Sequence, residues 1–461
     1  MSVSDWAVAA GRRRASGRFG TTRRQFMRRS LLAAGTAVAA PVLVPCFVLG
    51  RNGGTPPSER IHLAVIGVGR MGSGHVRSFL QYEDVRMVAV CDVMRDRCDR
   101  ARRRVDEHYG DTSCAAYGDF REVLARPDLD AIVNVTTEHW HPLIGVEAAR
   151  RGKHMYYEKP ASVRFAEAQA LREAVCRYGV VFQFGTQQRS QVPYQRTWEL
   201  VRNGRIVELK EIITASPGGW HEPLRLEPGP HEPPETLDYD MWLGPAPWAP
   251  YHPARVSLTW QWIRDYGLGC LSGAWGVHDM DFAQWVCVHD RTVPVDVEGT
   301  AEFYQDLRDV PYAWEVEHRY ANGVRLLHMD LKRAKARYPQ FGFDTMGSVF
   351  VGTEGWILVR RHRALRTQPE SLGREAIRPG EERIPVECSD HRRNFVDAIR
   401  HGRPTISPIE AAVGAECVVQ QADIALRLGR RLRWDSDQEA FRDDDQANRL
   451  LLRAMRSPWS L

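Results

Sequence analysis

Glu158-Lys159-Pro160 closes a short apolar run, His154–Tyr157, about ninety residues beyond a glycine triplet, Gly67-x-Gly69-x-x-Gly72. That separation is the length of two or three βα units, and a lysine at the carboxyl end of a strand sits on the edge where parallel α/β sheets take up ligands. The triplet follows a strand-like run, Ile61–Ile66, and opens a helix-like segment that includes Arg70 and Met71. In that setting Gly67 allows a tight turn, Gly69 lets backbone approach a pyrophosphate, and Gly72 permits close helix–strand packing. Asp92 ends the next strand-like run, Val88–Asp92. A carboxylate there accepts hydrogen bonds from an adenosine ribose and repels a 2′-phosphate, which favours NAD over NADP. Arg95 tempers that preference, and a helix-capping Asp92 is the plainer alternative. Thr136 and Thr137 follow Ala131–Val135 and belong to the same sheet edge, on the nicotinamide side. Lys159 is then a candidate for polar chemistry beside a nicotinamide ring, against the alternative of an ordinary surface lysine.

The elements that must position these residues alternate. Strand-like segments at 62–67, 86–91, 131–136, 154–157 and 180–184 are interleaved with helix-like ones near 70–81, 94–108, 119–125, 141–151 and 163–178. This pattern predicts an α/β fold with a doubly wound parallel sheet over residues 59–185. Beyond it the texture turns β-rich, at 207–216, 295–304, 314–320 and 324–331, with a final helix at about 408–429. Residues 186–461 are therefore expected to form an α+β domain on a large, mostly antiparallel sheet. At 461 residues the chain is long enough for two cores.

Residues 1–50 carry eight arginines and one acid, Asp5, so this leader holds +7 while residues 51–461 come to −2 of the overall +5. No basic stripe points to nucleic acid. Thr22-Arg23-Arg24-Gln25-Phe26-Met27 precedes an uncharged stretch from Ser30 to Gly50, the pattern of a twin-arginine export signal. The expected location is periplasmic, with an uncleaved membrane anchor as the alternative. Residues 51–58 read as a Gly/Pro-rich linker. None of the nine cysteines forms a C-x-x-C pair, so free thiols are expected and no metal site is read.

These pieces together resemble the glucose-fructose oxidoreductase, inositol dehydrogenase and rhizopine-catabolism (Gfo/Idh/MocA) family, in its exported branch. The resemblance rests on the glycine triplet, Asp92, Thr136-Thr-Glu138-His-Trp-His141, Glu158-Lys159-Pro160 and Gly276-Val-His278-x-x-Asp281. Further support comes from Gly185-Thr-Gln187-Gln-Arg189, Trp242–Pro247, Trp260-x-Trp262 and Asp265-Tyr266-Gly. It implies a Rossmann domain followed by a substrate domain with an open sheet, bound NAD or NADP, sugar or cyclitol substrates, and a dimer or tetramer. It also implies that Lys159 and His278 sit at the reacting carbon, and it extends the cofactor site to Glu138, His141, Glu158, Pro160 and Gln187. Arg189, Tyr194, Tyr266 and His391 fall at positions that line the substrate site in the family. Trp262 and Trp275, within a tryptophan-rich second half, are candidates to stack on sugar faces; packing in the core is the alternative for each.

One departure stands out. Family dehydrogenases carry an aspartate four residues before the histidine, where this chain has Ala274. Without that carboxylate His278 should be a poorer general base, since nothing fixes its tautomer or supports an imidazolium. The leading expectation is an NAD-dependent oxidoreductase acting on the secondary alcohol of a sugar, cyclitol or derivative, with cofactor recycled in place. Redox-assisted glycoside cleavage and non-catalytic NAD or sugar binding are the alternatives.

Overall fold

The computed structural model describes residues 56–220, 222–226, 228–287 and 292–461; the leader and most of the 51–58 linker lie outside the described residues. Residues Glu59–Leu461 form one compact unit. Its first sheet is six-stranded and parallel, built from β1 (Ile61–Ile66), β2 (Val85–Cys91), β3 (Ala115–Tyr117), β4 (Ala131–Asn134), β5 (His154–Tyr157) and β6 (Phe182–Phe184). The strand order is β3-β2-β1-β4-β5-β6. Strands buried on both faces need apolar residues at successive positions. Along β1, Leu63 and Val65 pack with Val76 and Phe79 of α1 (Arg70–Phe79) and Cys98 and Val105 of α2 (Arg95–Tyr109). Ala64 and Ile66 face the other way, toward α3 (Phe120–Leu124), α4 (His141–Arg150) and α5 (Phe165–Tyr178). The order reverses between β1 and β4, which opens a crevice at their carboxyl ends.

The second sheet has nine strands: β7 (Leu209–Ser216), β8 (Asp296–Phe303), β9 (Pro311–Arg319), β10 (Arg325–Asp330), β11 (Gly347–Gly352), β12 (Trp356–Arg360), β13 (Arg366–Gln368), β14 (Leu432–Asp435) and β15 (Ala440–Phe441). It runs β13-β12-β11-β7-β10-β9-β8-β14-β15, and β7–β10 is its parallel pair. Three helices, α6 (Val192–Arg202), α7 (Gly276–Cys287) and α9 (Ile409–Leu428), share the core beneath it. Between α7 and α9 in sequence, α8 (His391–His401) returns to the first sheet. There Phe395 and Val396 join Phe79 and Tyr156, while Arg393 and Arg400 both bind Asp84.

β3 and β13 span three residues each, too few to show a period, whereas β11, β12, α6 and α8 are not expected from the sequence. The eight described cysteines are free. Cys91 and Cys270 are buried, but Cys176 is exposed because it falls off the buried stripe of α5. Among the described residues no helix is long and apolar enough to cross a membrane, and no group of acidic, His or Cys side chains is placed to hold a metal.

Candidate functional site

A cleft of about 810 Å³ runs from the β1–α1 turn to the α7 end of the second domain. At its start Gly67 has φ +88°, a conformation that L side chains rarely adopt, and an added Cβ would lie 2.5 Å from the Val135 carbonyl oxygen. A Cβ on Gly72 would overlap the Gly67 carbonyl, whereas Gly69 faces open space with only Arg97 Nη1 at 3.6 Å. This is a backbone cradle with free N–H groups at the amino end of α1, suited to a pyrophosphate. Asp92 lines the same end; its two carboxylate oxygens accept from the Val68 and Met94 N–H groups at 2.9 and 2.8 Å. Burial pushes its pKa up, while the Met94 N–H and Arg97 hold it down. Each oxygen keeps a lone pair for a ribose hydroxyl. A side hollow of about 260 Å³ opens next to it, lined by Arg70, Arg97, Arg100 and Arg104.

Past this cradle, Thr136, Thr137, Glu138, His141, Glu158, Lys159 and Gln187 line the cleft, as do Met71, Trp262, Trp275 and His278. His141 is held rigidly, with its ring nitrogens 2.8 Å from the Pro160 carbonyl and 3.1 Å from that of Thr136. Pro160 itself contributes that carbonyl and does not line the cleft. Glu158 is a buried strut. It accepts from His75 Nε2 at 2.8 Å and from Gln187 at 2.9 Å. Arg392 donates to His75 Nδ1, which places the ring proton on Nε2, toward Glu158. Burial alone would raise the Glu158 pKa, but His75 and then Lys159 hold it at about 2.

Lys159 Nζ donates to the Gly273 carbonyl at 2.7 Å, bridging the two domains across the cleft. Beside it lies Glu138, fully enclosed. A Cβ on Gly273 would overlap Glu138 Oε1, and one on Gly267 would lie 2.9 Å from Oε2, an oxygen with no hydrogen-bond partner. Burial lifts the Glu138 pKa well above the usual carboxylate range, with the Lys159 charge pulling the other way. Thus a first-domain carboxylate lies within the field of Lys159, with no direct hydrogen bond or ion pair between them, in a space that Gly273 leaves free.

His278 is buried in the first turn of α7, and its Nδ1 has no partner. Burial, followed by the nearby charges of Lys159 and Arg361, lowers its pKa to about 3, so the ring is neutral at pH 7. Neither neighbouring acid is bonded to His278: Asp279 accepts from Ser216 Oγ at 2.8 Å, and Asp281 pairs with Arg189. The Trp220 and Trp262 rings lie 4.7 Å apart, tilted by 39°, and both, with Trp242, Trp260 and Trp275, line the cleft.

Four residues expected at the substrate site lie outside the cleft lining. Arg189 is enclosed, gripping Asp281 through Nε and Nη2 at 2.9 and 2.7 Å. Tyr194 packs edge-on against Phe282. Tyr266 is wedged against His139 and Trp242, each 4.9 Å away. His391 starts α8, bonded to Ser190 Oγ and the Phe184 carbonyl. Conversely, His75, Arg97, Gly273 and Arg361 bear on the site without any local motif to flag them.

Residues 61–186 match the family described as "oxidoreductase family, NAD-binding Rossmann fold", and residues 220–357 and 381–461 match its "C-terminal alpha/beta domain". An uncharacterized oxidoreductase, YrbE, of Bacillus subtilis (strain 168) is 29% identical over 301 residues, covering 65% of this chain and 73% of that one. A glycosyl hydrolase family 109 protein of Shewanella sp. (strain ANA-3) is 32% identical over 159 residues, 31% of this chain and 34% of that relative. Among solved structures, the aldose-aldose oxidoreductase of Caulobacter crescentus complexed with glycerol superposes with a TM-score of 0.59 at 19% identity, covering 81% of this chain and 99% of that one. At that identity the likeness is one of fold. Both halves of the chain, in order and flanking one cleft, place it in the Gfo/Idh/MocA family of oxidoreductases.

Proposed function

We propose that the protein is an NAD-dependent oxidoreductase that interconverts a secondary alcohol and a ketone on a sugar or cyclitol, with Lys159 and Glu138 handling the proton. The observation that carries this reading is the meeting of Lys159, Glu138 and His278 in the cleft that starts at the glycine cradle. Bound there, a nicotinamide dinucleotide supplies the hydride acceptor or donor. The chain's own residues do the rest. Lys159 Nζ, tethered by the Gly273 carbonyl, takes the hydroxyl proton in the oxidative direction, and Glu138, beyond direct hydrogen-bond reach, exchanges a proton with it through one water. His278 is too weak a base for that task and instead hydrogen-bonds the reacting oxygen as a neutral ring. The Trp220–Trp262 pair offers a surface for the C–H face of a sugar. Glu138 thereby makes up for the carboxylate missing at Ala274, which speaks against a non-catalytic binder.

NAD is favoured over NADP on the strength of Asp92, against the pull of the arginine-lined hollow beside it. The reading is tested by incubating the full chain with NAD or NADP and a panel of sugars and cyclitols, following reduced nicotinamide by absorbance. Absence of turnover with every alcohol and both dinucleotides would remove it. A second reading, redox-assisted glycoside cleavage, draws on the likeness to the glycosyl hydrolase family 109 protein. Release of an aryl aglycone with no net reduced nicotinamide is its signature.

The twin-arginine leader supports export in folded form. Replacing Arg23 and Arg24 together by lysine is expected to hold the protein in the cytoplasm. Unchanged periplasmic recovery of the doubly substituted chain would discard that route.

A further inference from the structure

Glu158 and Glu138 both lie in the field of Lys159, whereas Arg361, which lines the same cleft, has no carboxylate bonded to it among the described residues. Arg361 follows β12, anchored by its backbone N–H to the Met346 carbonyl, and lines the cleft with its guanidinium carbon 5.5 Å from the centre of the Trp275 ring. Its Nε is shut off from solvent and has no hydrogen-bond partner. No ion pair to Arg361 exists among the described residues. Asp279 feels its field, but that side chain is turned to Ser216, and burial pushes its pKa up to about 8. Leaving a buried N–H unsatisfied is unfavourable, and a bound acceptor would relieve that cost. A planar guanidinium fork within cation–π range of an indole can still offer two parallel bonds to an oxoanion.

We propose that Arg361 recognises an anionic oxo group on the substrate, so that the carbohydrate taken up is a sugar acid or sugar phosphate rather than a neutral sugar. This rests on the oxidoreductase reading of the cleft and narrows its substrate class. The sugar ring would lie over the Trp220–Trp262 pair, with its charged substituent turned toward Arg361 and its reacting carbon toward Lys159. The Arg361 charge itself attracts such anions, an effect that salt weakens.

The test is calorimetric binding to the full chain saturated with NAD, using matched pairs: glucose and glucuronate, galactose and galacturonate, glucitol and gluconate, with glucose 6-phosphate alongside. At least one charged probe is expected to bind roughly tenfold or more tightly than its neutral counterpart, the advantage shrinking as sodium chloride rises from about 50 to about 300 mM. Arg361→Gln should abolish that preference while leaving the affinity for NAD and for the neutral sugar unchanged. Preference for the carboxylates or for the phosphate both support the assignment and tell the two sources apart. Equal or tighter binding of neutral sugars, persistence of the preference in Arg361→Gln, or no binding of any charged probe overturns it. Turnover of neutral sugars without an acid preference would sink this inference and leave the oxidoreductase reading intact. Charge-dependent binding with no turnover would do the reverse.

Discussion

Replacing Lys159 by methionine is expected to lower turnover by roughly 10²–10⁴-fold, the usual range for loss of a positioned acid–base group. Nucleotide affinity should stay near wild type, because the cradle at Gly67 to Gly72 and the Asp92 carboxylate lie at the other end of the cleft. The fall should appear in kcat and kcat/KM alike, the signature of an interaction made in the transition state. A variant that retains wild-type kcat would take Lys159 out of the chemistry. Glu138→Gln sharpens the test. In the wild type, oxidation should speed up as pH rises through the elevated Glu138 pKa, since the carboxyl must shed its proton before the pair can accept one. In Glu138→Gln that limb should vanish. The stability effect has the opposite direction. A buried carboxyl with a raised folded pKa contributes stability below its unfolded pKa and loses it as pH rises through the folded one. Glu138→Gln should therefore be more stable than wild type at high pH, although less active. A variant with an unchanged pH–rate profile would show that Glu138 serves packing alone.

Arg189→Met is expected to cost about 3–5 kcal/mol of folding stability, because it removes the guanidinium that holds both carboxylate oxygens of the buried Asp281. Both partners are enclosed, and the pair ties the loop after β6 to α7, which carries His278. Turnover should fall with the folded fraction, and the affinity of the remaining folded protein for sugar should be little changed. Combining Arg189→Met with Asp281→Leu should recover most of the loss, since an apolar pair of similar volume removes the buried charge altogether. Denaturant titration of the two variants measures both effects. If Arg189→Met keeps wild-type stability but loses sugar binding, the residue is a substrate contact after all.

The cofactor half of the site was legible because its chemistry is written locally. A glycine turn between a strand and a helix needs residues without side chains within a few positions of one another, and Asp92 follows at the end of the very next strand. The interleaving of β1, β2, β4, β5 and β6 with α1 to α5 was legible for a similar reason: strands buried on both faces leave continuous apolar runs, which the half-exposed β3 lacks. The substrate half was not. Arg189 and His391 carry the residue types of a polar site, yet burial with Asp281, Ser190 and the Phe184 carbonyl turns them into internal ties. No sequence period distinguishes an arginine aimed at solvent from one aimed at a buried carboxylate. Arg361 shows the converse, an arginine in an ordinary turn that folding leaves beside Trp275.

From sequence alone came the family, the glycine cradle, Lys159 and His278 as candidates, and the absence of a carboxylate at position 274. Only the tertiary structure showed that Glu138 is enclosed within the field of Lys159 and that burial depresses the His278 pKa. Both facts depend on burial and on the approach of Gly273, which lies more than a hundred residues from either Glu138 or Lys159. Desolvation and long-range electrostatics are properties of the assembled core, and they decide which of the residues announced by the motifs can move a proton.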